Sequence, residues 1–266
     1  MTTIAAPLDD LFRGLVSGVE LRADDDKGTG SYMFGHFSVF DTWYEIDSWY
    51  EGQFIERTVK GAFRKTIKEN RDALVSQFDH GYDFHVGDSP LGPIEELREE
   101  DFGPFYGVPL LDTDYNRDRV LPLLQGRLMD GRSTGSLLGS SFRFRVTRDE
   151  WVEPSKATDH NPNKLKERTI REVRLYEFGP VVFPANPAAT AAARGLTDHY
   201  LARRLVREGR AQRAVSELSP LVDPAGLATG SSTTVAPASG HSTEPTRTLA
   251  EVRARIDIDR LRRRPS

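Results

Sequence analysis

Cysteine is absent from the 266 residues. That absence removes disulfide frameworks, thiolate zinc sites and cysteine nucleophiles together, and it suits a reducing compartment. Long hydrophobic runs are missing as well. Apolar residues make up 38% of the chain, and no stretch approaches the roughly 18 uninterrupted apolar residues of a membrane-spanning helix. Met1 to Asp10 has neither a basic n-region nor an apolar h-region, so no secretory signal is expected. Charge of one sign is not in excess. With 36 basic and 40 acidic residues the formal net charge is −4, too balanced for a general nucleic-acid binder. The distribution is uneven: the stretch from Arg247 holds seven arginines against three acids, which leaves −8 on the residues before it.

What is present divides the chain into a body and a tail. At roughly 150 residues per domain, the length allows one large domain with an appendage, or two small ones. Residues 1–30 read as a partly disordered N-terminal segment because of the polar run ADDDKGTGS. Residues 31–196 carry the strand signals. Tyr32 to Phe40, Ala73 to His80, Leu91 to Leu97, Phe105 to Leu111, Ser136 to Thr147 and Thr169 to Phe183 are β-branched or aromatic runs bounded by Gly, Pro, Asp or Asn. Helical spacing appears at Val59 to Asn70 and from Asn116 to about Arg127. The expected fold is therefore α+β, a β-barrel-like domain surrounded by a few helices. Residues 197–218 read as a further helix, with Leu201, Leu205, Ala211 and Val215 at helical spacing after a Thr197 or Asp198 cap. Residues 219–246 are a flexible Ser/Thr/Pro/Ala-rich linker, and residues 247–266 a basic C-terminal helix.

Three polar residues stand out once the strands are read by parity, because alternate side chains share a face. His80 ends an apolar row with Leu74 and Phe78. It is either a strand-end imidazole satisfied by a carbonyl or a partly desolvated base. In the segment GSSFRFRV, Phe142, Phe144 and Val146 form the apolar row, so Ser141 with Arg143 faces the other way. It is either a surface serine or a nucleophile awaiting a base. Glu177 shares parity with Val173 and Leu175. A carboxylate on an apolar row needs a partner, either Arg143, Arg171 or Arg174 in an ion pair, or the N–H of an imidazole. Together His, Ser and Glu make the set that acyl transfer needs: base, nucleophile and orienter.

FDH followed by LG, then GSSFRF, then LYEFGPVVFPANPAA resembles the prohead protease family of tailed bacteriophages of the HK97 type, over roughly Gly35 to Ala193. ERTVKGAF, Glu56 to Phe63, is similar to that family's lead into its first helix. The resemblance implies a serine endopeptidase with a fold distantly similar to herpesvirus assemblin. It would work in the host cytoplasm inside the assembling procapsid, cleaving the scaffolding segment of the major capsid protein and itself. A homodimer is consistent with that resemblance. Carried over by motif, the catalytic residues are Ser141, His80 and Glu177, with Arg143 at the family's small-residue position and Gly179-Pro180 after the glutamate. Oxyanion donors are then expected from backbone N–H groups near Ser141, with Arg143 as a helper. The polar loop from Trp151 to Arg168 is expected to border the cleft.

Two other readings compete. His80, Asp83, His85 and Asp88 cluster in one short segment, as a metal hydrolase would need. They lack the i, i+4 pair and the intervening glutamate of a helical zinc motif, so neither a metal nor another cofactor is expected. The second is a non-catalytic capsid-assembly or scaffold protein that retains the protease fold and binds through its tethered basic helix. The contrast between acidic body and basic tail would steer that helix toward an acidic scaffold or capsid surface.

Overall fold

The computed structural model describes residues 10–15, 19–24, 30–182 and 196–218. Two sheets share one core. The first runs in the order β1 (Leu11–Leu15), β9 (Gly139–Val152), β10 (Glu167–Val181), β5 (Gly52–Thr58) and β4 (Tyr44–Ser48), with the two-residue β6 (Val75–Ser76) also on β10. The second is antiparallel: β2 (Glu20–Asp24), β3 (Gly30–His36), β8 (Pro104–Pro109) and β7 (Glu96–Glu99). Phe142, Phe144 and Phe178 of the first sheet meet Met33, Leu97, Tyr106 and Val108 of the second in a single apolar cluster. The fold is thus α+β, as the strand-rich sequence implies. The expected N-terminal segment carries β1 and β2. The described residues up to Val215 belong to one compact unit, and the expected linker and basic helix lie outside the described residues.

β9 and β10 form the long hairpin on which everything else hangs. They stay in antiparallel register from Gly139↔Val181 to Val152↔Glu167, interrupted by shifts. One shift decides the site. Leu175 pairs with Phe144 and Glu177 with Arg143, so Tyr176 is an extra residue, a β-bulge. The bulge reverses parity. Leu175 and Phe178 both enter the core, while Glu177 turns to the opposite face, the face of Ser141. Simple alternation had put Glu177 in line with Val173 and Leu175, and the structure corrects it.

The outer edge of β10 shows why the bulge is tolerated. β5 runs parallel to it as far as Thr58↔Ile170, and β6 takes over at Val75↔Glu177. Between them the short helix α1 (Arg64–Asn70) and the turn before it fill the gap. The Val173 N–H donates to the Ala62 carbonyl at 3.0 Å, and the Leu175 N–H to Thr66 Oγ1 at 3.1 Å. Backbone donors left without a ladder partner are thereby satisfied. The helix signal from Val59 yields α1 only from Arg64, and that from Asn116 yields a π turn over Asn116–Val120 followed by α2 (Leu121–Gln125). No helix among the described residues is long and apolar enough to cross a membrane.

Gly179 is where Gln77, the residue after β6, presses on β10. A Cβ there would lie 2.0 Å from the Gln77 carbonyl oxygen. Gly179→Ala should cost about 1–3 kcal/mol of stability, read as a lowered urea midpoint with unchanged slope. An unchanged midpoint would mean that Gln77 does not hold this close approach.

Candidate active site

The expected strand from Ala73 to His80 is mostly not a strand. After β6 the chain leaves the sheet in a tight turn, Phe78–Gly81, in which Asp79 and His80 adopt left-handed backbone angles, φ 49° and 55°. Such angles cost an L-residue about 1–2 kcal/mol each, so other contacts must hold them. The reason for the turn is positional. β6 lies beside Glu177 on the outer edge of β10, and His80 must reach back over β10 toward β9. A continuing strand would carry it past.

The three predicted residues meet. His80 Nδ1 forms a short hydrogen bond with Glu177 Oε1, and His80 Nε2 lies 2.7 Å from Ser141 Oγ. Gly179 pairs with Ser141 across the hairpin, so serine and glutamate stand on adjacent strands of one face, and the imidazole bridges them. The other nearby hydroxyl, on Ser140, points to the core side and bonds Tyr106. Of the arginines considered for Glu177, Arg143 Nε lies 3.9 Å from Oε1, while Arg171 pairs with Glu150. Arg143 therefore stands beside the carboxylate.

Ser141 was expected on an accessible face; the structure buries it completely, with His80 at 7% and Glu177 at 1% exposure. The cover comes from β1 and from α3 (Leu196–Leu218), whose Phe12, Leu196 and Tyr200 pack with Val181. Phe12 and Tyr200 both set ring edges against the imidazole, with centroids at 4.9 and 4.4 Å. The inward residues of α3 are Leu196, Thr197, Tyr200 and Arg203, whereas Leu205 of the expected apolar stripe is 61% exposed. Thr197 and Asp198 reach across to other elements: Thr197 Oγ1 accepts from the Phe12 N–H, and Asp198 from Ser48 Oγ and the Trp49 N–H.

α3 also grips the strained turn. Tyr200 donates its hydroxyl to Asp79 Oδ1 at 2.8 Å, and Arg203 bonds Asp79 Oδ2 and the Tyr82 carbonyl. Burial first, then the Asp79 carboxylate, pushes the Tyr200 phenol far above its ordinary range, so it stays a donor. Sequence reasoning assigned nothing to Asp79, Tyr200 or Arg203. Their signal was a Tyr-Arg stripe at i, i+3 on a helix whose more visible pattern is leucine.

The competing metal cluster does not assemble. Asp83 spends one oxygen on the His85 and Val86 N–H groups and the other on Arg119, and His80 is engaged at both nitrogens. Among the described residues no three His, Cys, Asp or Glu side chains stand together for a metal. The loop between Trp151 and Arg168 does not border the site either. It joins the far ends of β9 and β10, eleven residues from Ser141, which is about 35 Å along a strand. There His160 stacks on Trp43.

Residues 17–202 match the family of caudovirus prohead serine proteases. The matched stretch includes His80, Ser141, Glu177 and Tyr200, and β1 precedes it. No curated protein matches the chain. Among solved structures the chain is similar to the capsid assembly protease gp21 of bacteriophage T4, with 12% identity and a TM-score of 0.39, covering 66% of this chain and 96% of that one.

A hydrogen bond to a charged group contributes about 1.5–3 kcal/mol when buried. Tyr200→Phe should therefore lower unfolding free energy by about that amount and shift the His80 ring resonances in NMR spectra. Unchanged resonances would show that α3 does not hold the turn.

Proposed function

The chain belongs to the caudovirus prohead serine protease family, and from that membership and the geometry above we propose that it is a serine endopeptidase with Ser141 as nucleophile. The supporting observation is the relay Glu177–His80–Ser141, with both imidazole nitrogens engaged in the order the chemistry needs. His80 Nε2 takes the Ser141 proton as Oγ attacks the scissile carbonyl carbon, then returns it to the leaving amine. The peptide C–N bond breaks and an acyl-serine ester remains, which water hydrolyses with His80 again as base. Glu177 accepts the Nδ1–H, which fixes the ring's orientation and stabilises the imidazolium that forms. His80 and Glu177 lie out of water, where these fixed partners act more strongly than in solvent.

The substrate is the scaffolding segment of the major capsid protein together with the protease itself, and the setting is the assembling procapsid in the host cytoplasm. Family membership supports this assignment. A non-catalytic scaffold protein would have no use for three polar groups aligned and buried at a desolvation cost of several kcal/mol for a carboxylate.

Intact-mass measurements over time, with the protein and its cognate capsid precursor, test the reading. The parent should cleave; Ser141→Ala and His80→Ala should not, and Glu177→Gln should slow cleavage on the order of 1,000- to 10,000-fold. Cleavage by Ser141→Ala at the parent rate would remove Ser141 as nucleophile.

A further inference from the structure

With the nucleophile sealed, some covering element must leave before a peptide can reach it. β1 is the element on Ser141. It is a five-residue edge strand, paired antiparallel with β9 in the register Arg13↔Phe142 and Gly14↔Ser141. Phe12 turns its N–H and carbonyl to Thr197 Oγ1, away from β9. Alternation then turns the Arg13 carbonyl toward β9, and there Ser141 Oγ donates to it at 2.7 Å. A hydroxyl has one proton. While it is given to the Arg13 carbonyl oxygen, it is not available to His80 Nε2, also at 2.7 Å. β1 thus places a peptide carbonyl on the nucleophile and diverts the proton that catalysis must move.

The side chain before that carbonyl is as fully accommodated as the backbone. Arg13 is buried, with Nη2 on Glu51 Oε2 at 2.7 Å and Nε on Glu56 Oε1 at 2.8 Å. Glu56 is held in place independently of Arg13 by the Tyr44 hydroxyl at 2.7 Å and Arg168 Nη1 at 3.2 Å. The carboxylate of Glu51 hydrogen-bonds Arg13 alone among the described residues. If β1 left, the buried carboxylates of Glu51 and Glu56 would keep only Arg168, which Asp149 also holds at 2.7 Å, and the pocket would be short of positive charge. On the other side of the carbonyl, a Cβ on Gly14 would meet Leu196 Cδ1 at 3.0 Å and the Ser140 carbonyl oxygen at 3.1 Å, so only a small residue fits.

We propose that β1 occupies the substrate's own track: a peptide binds as a strand along β9 in place of β1, with an arginine between Glu51 and Glu56, its carbonyl on Ser141, and a small residue next. This rests on the hydrolytic reading of Ser141 for the fate of the bound peptide. Glu51 and Glu56 are then specificity determinants for a basic residue before the scissile bond, and β1 is a substrate-like strand that keeps the site shut until displaced. Strand addition to a sheet edge provides main-chain affinity, and the side-chain pocket provides selectivity.

The test uses the full chain carrying Arg13→Ala, so that β1 no longer fills the pocket, and a fluorescein-labelled peptide of residues 10–15, Asp-Leu-Phe-Arg-Gly-Leu. Anisotropy should show this peptide binding at least about tenfold tighter than the same peptide with norleucine for arginine. That comparison changes the ligand only, so it holds whether or not a pocket variant folds. Adding Glu51→Gln should erase most of the difference. Equal affinity for the two peptides, or no binding of either, overturns the proposal. Mass mapping of the capsid precursor's products should find a basic residue before each cut and a small one after it. Cleavage without that preference also overturns it. Arginine-selective binding by a protein that keeps Ser141 yet cleaves neither the peptide nor the capsid precursor supports the strand site and defeats the hydrolytic reading instead.

Discussion

The site depends on the extra residue at Tyr176. Strand alternation is a rigid rule within an unbroken ladder, so the face taken by Glu177 follows from how β10 is counted against β9. Without the bulge, Glu177 would sit opposite Phe142 and point into the phenylalanine core, where an unpaired carboxylate is costly. With it, the carboxylate faces the same way as Ser141, one strand over. The handover from β5 to β6 along the outer edge of β10, with α1 filling the gap, makes that irregularity affordable in hydrogen bonds.

The histidine is placed by opposing demands of the same kind. β6 must stop at Ser76 for the chain to cross over β10, and the crossing uses two left-handed residues in succession. Their strain is offset by contacts from a helix far away in sequence: Tyr200 and Arg203 on Asp79, and aromatic edges on the imidazole itself. The same helix, with β1, excludes water from the three residues. One packing arrangement both orders the relay and closes it.

Much of this was legible in the residues. The apolar row Phe142, Phe144 and Val146 placed Ser141 away from the core and separated it from Ser140, which does turn inward to Tyr106. The strands that carry Ser141 and Glu177 and the strand-rich α+β class follow from local pattern, and the resemblance to the protease family's motifs singled out Ser141, His80 and Glu177, the residues that meet. The path to two of them did not. His80 was read at a strand end and stands in a strained turn; Glu177 was read on the apolar row and stands on the other face. Leu205, part of the apolar stripe expected on α3, is exposed instead.

The sequence by itself determined which side chains could serve as nucleophile, base and orienter, and that the stretches carrying Ser141 and Glu177 are strands, because residue chemistry and periodicity are local properties. The tertiary structure decided the face of Glu177, the reach of His80 and the closure over Ser141. The contacts that set them join residues far apart in the chain, 61 and 97 positions in the relay and 185 between Phe12 and Thr197. A bulge, a left-handed turn and a docked edge strand each carry a local cost, and each persists because long-range packing offsets it. No pattern in the neighbouring residues records that balance.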